Sequence, residues 1–234
     1  MVPGASPPSF LQHPNTSHVM KIICKTTLLA MPDLGSVLSV RIGENRLFKL
    51  RGATLAEGCD HVTVDWGDGS EPETFNTDLS DALHTYSSAG DYAIRFSDGI
   101  GQIMIGYRSD SSDYNTIYAP MVTGFVSNAS RLSEIPANAF RSCVNLMRFD
   151  VAESSVSAIY GSAFKNCAAL SGALSFPMVK DIAGGLGALP FTGCSRIAAL
   201  RFSRANETAI RNGQAFSADR TLGTGIENVC QFNL

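Results

Sequence analysis

The sequence predicts a mainly β protein, with a β-sandwich followed by a short solenoid of stacked repeats. Three observations predict it. Between residues 20 and 108, short runs of alternating apolar and polar residues recur between turn residues. Between residues 120 and 234, a Phe-x-x-Cys unit returns with its Phe positions 24, 27 and 25 residues apart. Along all 234 residues only 17% are charged while glycines number 21, a balance that favours strands and tight turns over long solvated helices. The 44% hydrophobic share excludes a mostly disordered chain.

Residues 1–19 carry no charge and contain Pro3, Pro7, Pro8 and Pro14, which forbid a regular helix or an inner strand. The segment reads either as a solvated tail or as an extended arm whose Phe10 and Leu11 anchor it on a partner. No apolar run approaches the roughly 20 residues of a spanning helix. No basic n-region with an apolar stretch behind it is found, so neither a signal peptide nor membrane insertion is expected.

Residues 20–108 read as an all-β domain with strands at Lys21–Leu29, Ser36–Ile42, Arg46–Leu50, His61–Trp66, Ala82–Tyr86, Tyr92–Phe96 and Gln102–Tyr107. In His61–Trp66 the residues Val62, Val64 and Trp66 share one face, and Asp68-Gly69 supplies the positive φ of a tight hairpin turn. Seven short strands at this spacing suggest a sandwich. The residues Val64 to Ser70, then His84-Thr85-Tyr86, then Ala89 to Tyr92, resemble the PKD-like family, with its W-G-D-G turn and later H-x-Y…G-x-Y segment. The resemblance covers roughly residues 20–108. It implies an immunoglobulin-like sandwich acting as a spacer or binding module, with Trp66, Asp68, Gly69, His84, Tyr86 and Tyr92 as structural motif residues. Aspartates in such a turn are expected to bond backbone N–H groups rather than a cation. His84 is expected to pack rather than catalyse.

Charge divides the chain near residue 110: residues 20–110 hold 8 basic and 13 acidic side chains, residues 111–234 hold 10 and 8. Residues 109–119, rich in Ser, Asp and Tyr, read as a linker or cap. Residues 120–234 then repeat one unit. Phe140 and Cys143, Phe164 and Cys167, and Phe191 and Cys194 occupy equivalent places, and Phe216 marks a worn fourth copy with Asp219 where Cys would stand. Ile135, Ile159, Ile182 and Ile210 precede the four Phe positions, and a short apolar strand follows each of the first three copies. A 25-residue unit cannot bury these positions alone, but stacked units align Phe on Phe and Cys on Cys. The cysteines read as small buried thiols of that ladder, not as a disulfide framework, and no C-x-x-C metal motif is present. The unit resembles the BspA-like leucine-rich repeat, with A-F-x-x-C-x-x-L before a strand. The third copy departs from it through Gly184–Leu189 and Pro190. The resemblance implies a curved stack and membership among surface, adhesion and binding proteins.

The four histidines form no Ser-His-Asp set, and neither G-x-S-x-G nor H-E-x-x-H occurs, so the chain is read as no enzyme and needing no metal or cofactor. Arg196, Arg201, Arg204 and Arg211 are candidates for binding acidic sugars or an acidic protein, and Tyr107, Tyr114, Tyr118 and Tyr160 for stacking on glycans. A net charge of −3 gives no reason to expect nucleic acid. The expected function is non-catalytic recognition or adhesion, with the repeats binding a glycan or protein at a bacterial or phage surface. The alternative is a structural component of a phage virion, such as a decoration, head-fibre or tail-associated protein, anchored by the arm. Expected partners are a cell-surface protein or glycan, other virion proteins, or further copies of the chain. The expected location is extracellular, at the cell surface or on a virion.

Overall fold

The computed structural model describes residues 35–183, 189–212 and 230–234. The arm with Phe10 and Leu11, the expected strand Lys21–Leu29, most of the Gly184–Leu189 stretch, and Phe216 with its repeat lie outside the described residues. The described chain is mainly β, its strands spread over several sheets. Among the described residues no helix is long and apolar enough to cross a membrane.

Two antiparallel sheets occupy the first half. In one, β1 (Gly35–Ile42) pairs with β6 (Gly90–Ser97), which pairs with β3 (Val62–Asp65), and β3 turns back into β4 (Glu73–Phe75). In the other, β2 (Leu47–Leu55) lies between β5 (Leu79–Thr85) and β7 (Ile100–Met104). The alternation read from the sequence is what buries Leu38, Val40, Phe48, Leu50, Val62, Val64, Ile94 and Phe96 in one core. β2 runs five residues beyond the expected Arg46–Leu50, because Gly52 and Ala53 continue the pairing with β5 and β7 despite contributing no pattern. β4, built from Glu-Thr-Phe, was not expected.

The second half is built from parallel pairs. β9 (Glu134–Ile135), β11 (Ala158–Tyr160) and β13 (Asp181–Ala183) form one sheet, with Ile135, Ile159 and Ile182 in register. β12 (Gly172–Phe176), β14 (Ile197–Phe202) and β15 (Cys230–Phe232) form another. Ile210, the fourth of the isoleucine positions, is buried in the short helix α1 (Glu207–Asn212) instead of a strand. Ser203 caps the 3-10 turn before it by accepting the Ala205 N–H, and Glu207 sits in the first turn, so local signals select helix there.

Between these strands the Phe-x-x-Cys segments form tight turns bonded rung to rung. Phe140 N–H donates to Ala163 O (2.7 Å) and Ser142 N–H to Lys165 O (2.8 Å). Phe164 N–H then donates to Pro190 O and Asn166 N–H to Thr192 O, both at 2.7 Å. Pro190 can replace alanine because the inter-rung bond uses its carbonyl, not an N–H. The residue before each cysteine adopts a left-handed backbone: Ser142 at φ 64°, Asn166 at 66° and Gly193 at 82°. The series Ser, Asn, Gly is the chemistry of that conformation. Phe140, Phe164 and Phe191 stack face to face at 5.6 and 5.0 Å, with planes within 5°. A second column runs through the strand residues Phe125, Phe149, Phe176, Phe202 and Phe232.

Cys59, Cys143, Cys167 and Cys194 are free thiols. Those of the ladder do more than fill space. Cys167 Sγ donates to Phe140 O and Cys194 Sγ to Phe164 O, both at 3.0 Å, so each thiol satisfies a carbonyl one rung back. Burial pushes the Cys143 and Cys167 thiols far above the ordinary thiol range, which keeps them protonated and inert.

The two halves share a sheet. β8 (Val122–Ser127) pairs antiparallel with β1 and parallel with β10 (Arg148–Asp150), giving the six-stranded order β10-β8-β1-β6-β3-β4. A second seam runs from β7 to β9, where Ser133 N–H donates to Gly101 O (3.1 Å) and Gln102 Nε2 to Glu134 Oε1. A third is the approach of Ile105 and Gly106, whose N–H groups both donate to Ala139 O. The boundary expected near residue 110 is therefore crossed by continuous hydrogen bonding, and the described residues belong to one compact unit.

Candidate functional site

The W-G-D-G turn forms an ordered polar knot. Trp66 is buried and its indole N–H donates to Glu73 Oε1 (2.9 Å). His84 stacks on Trp66 at 4.7 Å and meets Tyr86 edge-on at 4.6 Å, and Tyr86 packs on Tyr92. Gly67 and Gly69, not Asp68, take the positive φ, at 79° and 84°. A Cβ on Gly67 would press into the Ala93 carbonyl, so glycine is required there twice over. Asp65 Oδ1 accepts the Gly67 N–H, and Asp68 Oδ1 accepts the Ser70 N–H and hydroxyl. Asp68 Oδ2 lies 2.9 Å from His84 Nε2, which donates to it.

Burial raises the Asp68 pKa, but the bonds from Ser70 and His84 outweigh it and hold the carboxyl down at about 2. A carboxylate depressed in the folded state stabilises the fold above its unfolded pKa and loses that contribution as pH falls through the folded value. The window therefore runs from about pH 4 to about pH 2. With its side chain 9% exposed, Asp68 is expected to contribute about 1–2 kcal/mol that vanishes over this window. Urea titrations at stepped pH should show the decline in the native chain and a flatter profile in Asp68→Asn. Equal slopes would remove Asp68 as the cause.

The outward face of the β5-β2-β7 sheet carries a different arrangement. Inward Phe48 and Leu50 leave Lys49 and Arg51 pointing outward from β2. The segment after β7 folds back over them as a π-helical turn, Tyr114–Tyr118. Asn115 pins this turn by accepting the Tyr107 N–H and donating to the carbonyls of Tyr107 and Ser109. Tyr114 then lies over the Lys49 ammonium (5.3 Å) and Tyr107 over the Arg51 guanidinium (5.0 Å). Arg51 Nη1 donates to Gly106 O (2.7 Å), and the Tyr114 hydroxyl donates to Asp81 Oδ1, near which Lys49 Nζ sits at 3.5 Å. The Tyr114 hydroxyl, with Lys49 beside it, holds Asp81 below the usual carboxylate range, while burial and Asp81 raise Tyr114. With Asp78, Ser80, Thr54 and Met104 these groups line a cleft of about 590 Å³. That lies within the range of ligand clefts, about 300–1,000 Å³.

Of the residues singled out from the sequence, Tyr107 and Tyr114 lie in this cleft. Tyr118 sits under it, edge-on to Phe48 at 6.4 Å. Tyr160 is apart, on β11, its hydroxyl raised by burial and by Glu134. Arg201 points out from β14 and reaches Gln231 at 3.4 Å. Arg196 precedes that strand and Arg204 follows it, both exposed. The Arg211 side chain lies outside the described residues. Lys49, Arg51, Asp78 and Asp81 were not singled out. For Lys49 and Arg51 the signal was the polar side of the alternation in β2. Comparison with protein-family profiles, curated proteins and solved structures found no match.

Proposed function

We propose that the chain is a non-catalytic recognition protein, a PKD-like sandwich merging into BspA-like repeats, that binds glycans through the cleft above β2. The observation that carries this reading is the cleft itself. Tyrosine rings, cations and carboxylates converge there on strands and on a turn pinned by Asn115, so the binding groups are set before a ligand arrives. A non-catalytic role accords with the Asp68–His84 pair. The nearby Ser70 hydroxyl is aimed at the same Asp68 carboxylate and not at the imidazole. The shared sheet supports a rigid module in which sandwich and repeats act together.

A glycan array probed with the intact chain tests this. Binding is expected, with a loss of tenfold or more in Tyr114→Ala and no loss in Tyr160→Ala, which lies on another sheet. A blank array at high protein concentration, or equal loss in both variants, would count against the reading.

A further inference from the structure

The cleft carries no net charge: Lys49 and Arg51 are matched by Asp78 and Asp81. From this and its hydrogen-bonding pattern we infer that its ligand is a neutral pyranose sugar and that acidic sugars are disfavoured. The inference rests on the recognition reading above. Its first ground is the state of the two carboxylates. Asp78 Oδ1 is occupied by the Leu55 N–H (2.7 Å), and Asp81 Oδ1 by Tyr114 and Lys49. Among the described residues the second oxygen of each has no hydrogen-bond partner, so each carboxylate at the cleft wall keeps an oxygen free to accept. Arg51 spends Nη1 on Gly106 O and keeps further N–H donors.

A sugar hydroxyl both donates and accepts, and adjacent hydroxyls fit a wall of carboxylate acceptors beside guanidinium and ammonium donors. A ligand carboxylate fits it poorly. It would find Lys49 already paired with Asp81 and would meet two like charges, Asp78 and Asp81. The apolar contribution points the same way. Tyr107 and Tyr114 stand 6.3 Å apart with planes at 46°, and each ring has a cation over it. Together with Met104 they form an angled apolar wall for the C–H edge of one saccharide ring, not a flat platform for an extended stack.

The test titrates the intact chain with maltotriose and cellotriose as neutral probes. Glucuronic acid and N-acetylneuraminic acid serve as acidic ones, and all are followed by saturation-transfer NMR and calorimetry. A neutral probe should bind, acidic probes at least tenfold more weakly, and raising salt from 20 to 300 mM should change the neutral affinity less than twofold. Asp78→Asn keeps an oxygen for the Leu55 N–H and removes the charge. It should weaken the neutral probe severalfold and narrow its advantage over glucuronic acid. Acidic probes that bind as tightly as neutral ones, and lose binding in Tyr114→Ala, would overturn this inference and leave the recognition reading standing. No binding by either class would overturn both.

Discussion

Phe164→Ala is expected to remove about 3–5 kcal/mol of unfolding free energy. The ring is fully buried and sits mid-column, 5.6 Å from Phe140 and 5.0 Å from Phe191, with Phe149 edge-on at 4.7 Å. Truncation forfeits the transfer of the ring from water and also leaves a cavity. The walls of that cavity cannot close, because both neighbouring rungs are fixed by backbone bonds from Phe164 N–H to Pro190 O and from Phe140 N–H to Ala163 O. The aromatic pairs themselves add about 0.5–1.5 kcal/mol each beyond area burial. Total stability of a domain is about 5–15 kcal/mol, so the variant should sit near the edge of folding. Urea unfolding of native, Phe164→Leu and Phe164→Ala chains reads this, with leucine between the two. A shift under about 1 kcal/mol for alanine would mean that the column repacks and is not a rigid stack.

The ladder was legible in the sequence because a period near 25 puts the same residue type on the same rung: Phe on Phe, Cys on Cys, Ile135 on Ile159 on Ile182. The thiol-to-carbonyl bonds were not, since the sequence shows a small buried residue and not where its S–H points. In the first half, strands were legible where apolar residues alternate, as at Val62 and Val64. β2 was cut short at the Gly52-Ala53 pair, which carries no alternation, and β4 was hidden in a charged run. The cleft was least legible. Its groups come from three segments, around residues 49–54, 78–81 and 104–114, that meet only once β2 is flanked by β5 and β7. Tyr114 stood out by residue type alone. Lys49 and Arg51 gain their partners only from the segment after β7, which folds back over them through the Tyr114–Tyr118 turn. At Ile210 the repeat pattern did not show the local structure: capping at Ser203 sets a 3-10 turn that leads into a short helix there.

Gly106→Ala is expected to uncouple the two halves. A Cβ at this position would fall 2.5 Å from Arg141 O, 2.7 Å from Asn138 O and 2.8 Å from Arg141 N, all backbone atoms that no side-chain rotation can clear. Relief requires the strand end to lift off the first repeat turn, which breaks the bonds from Ile105 and Gly106 N–H to Ala139 O. Overpacking of this kind costs about 1–3 kcal/mol, and more where backbone must move. The lift also displaces Gly106 O from Arg51 and shifts Tyr107, so the sugar binding proposed for the cleft should weaken with it. The chain's one tryptophan makes the uncoupling readable. Trp66 lies buried in the first half and reports it by fluorescence, while far-ultraviolet circular dichroism reports all strands. In the native chain the shared sheet should make the two transitions coincide. In Gly106→Ala they should separate, because one of the three seams is lost and only β8 on β1 and the β7–β9 contacts remain as bridges. Coincident transitions at an unchanged midpoint would show that the Gly106 seam contributes nothing to the coupling.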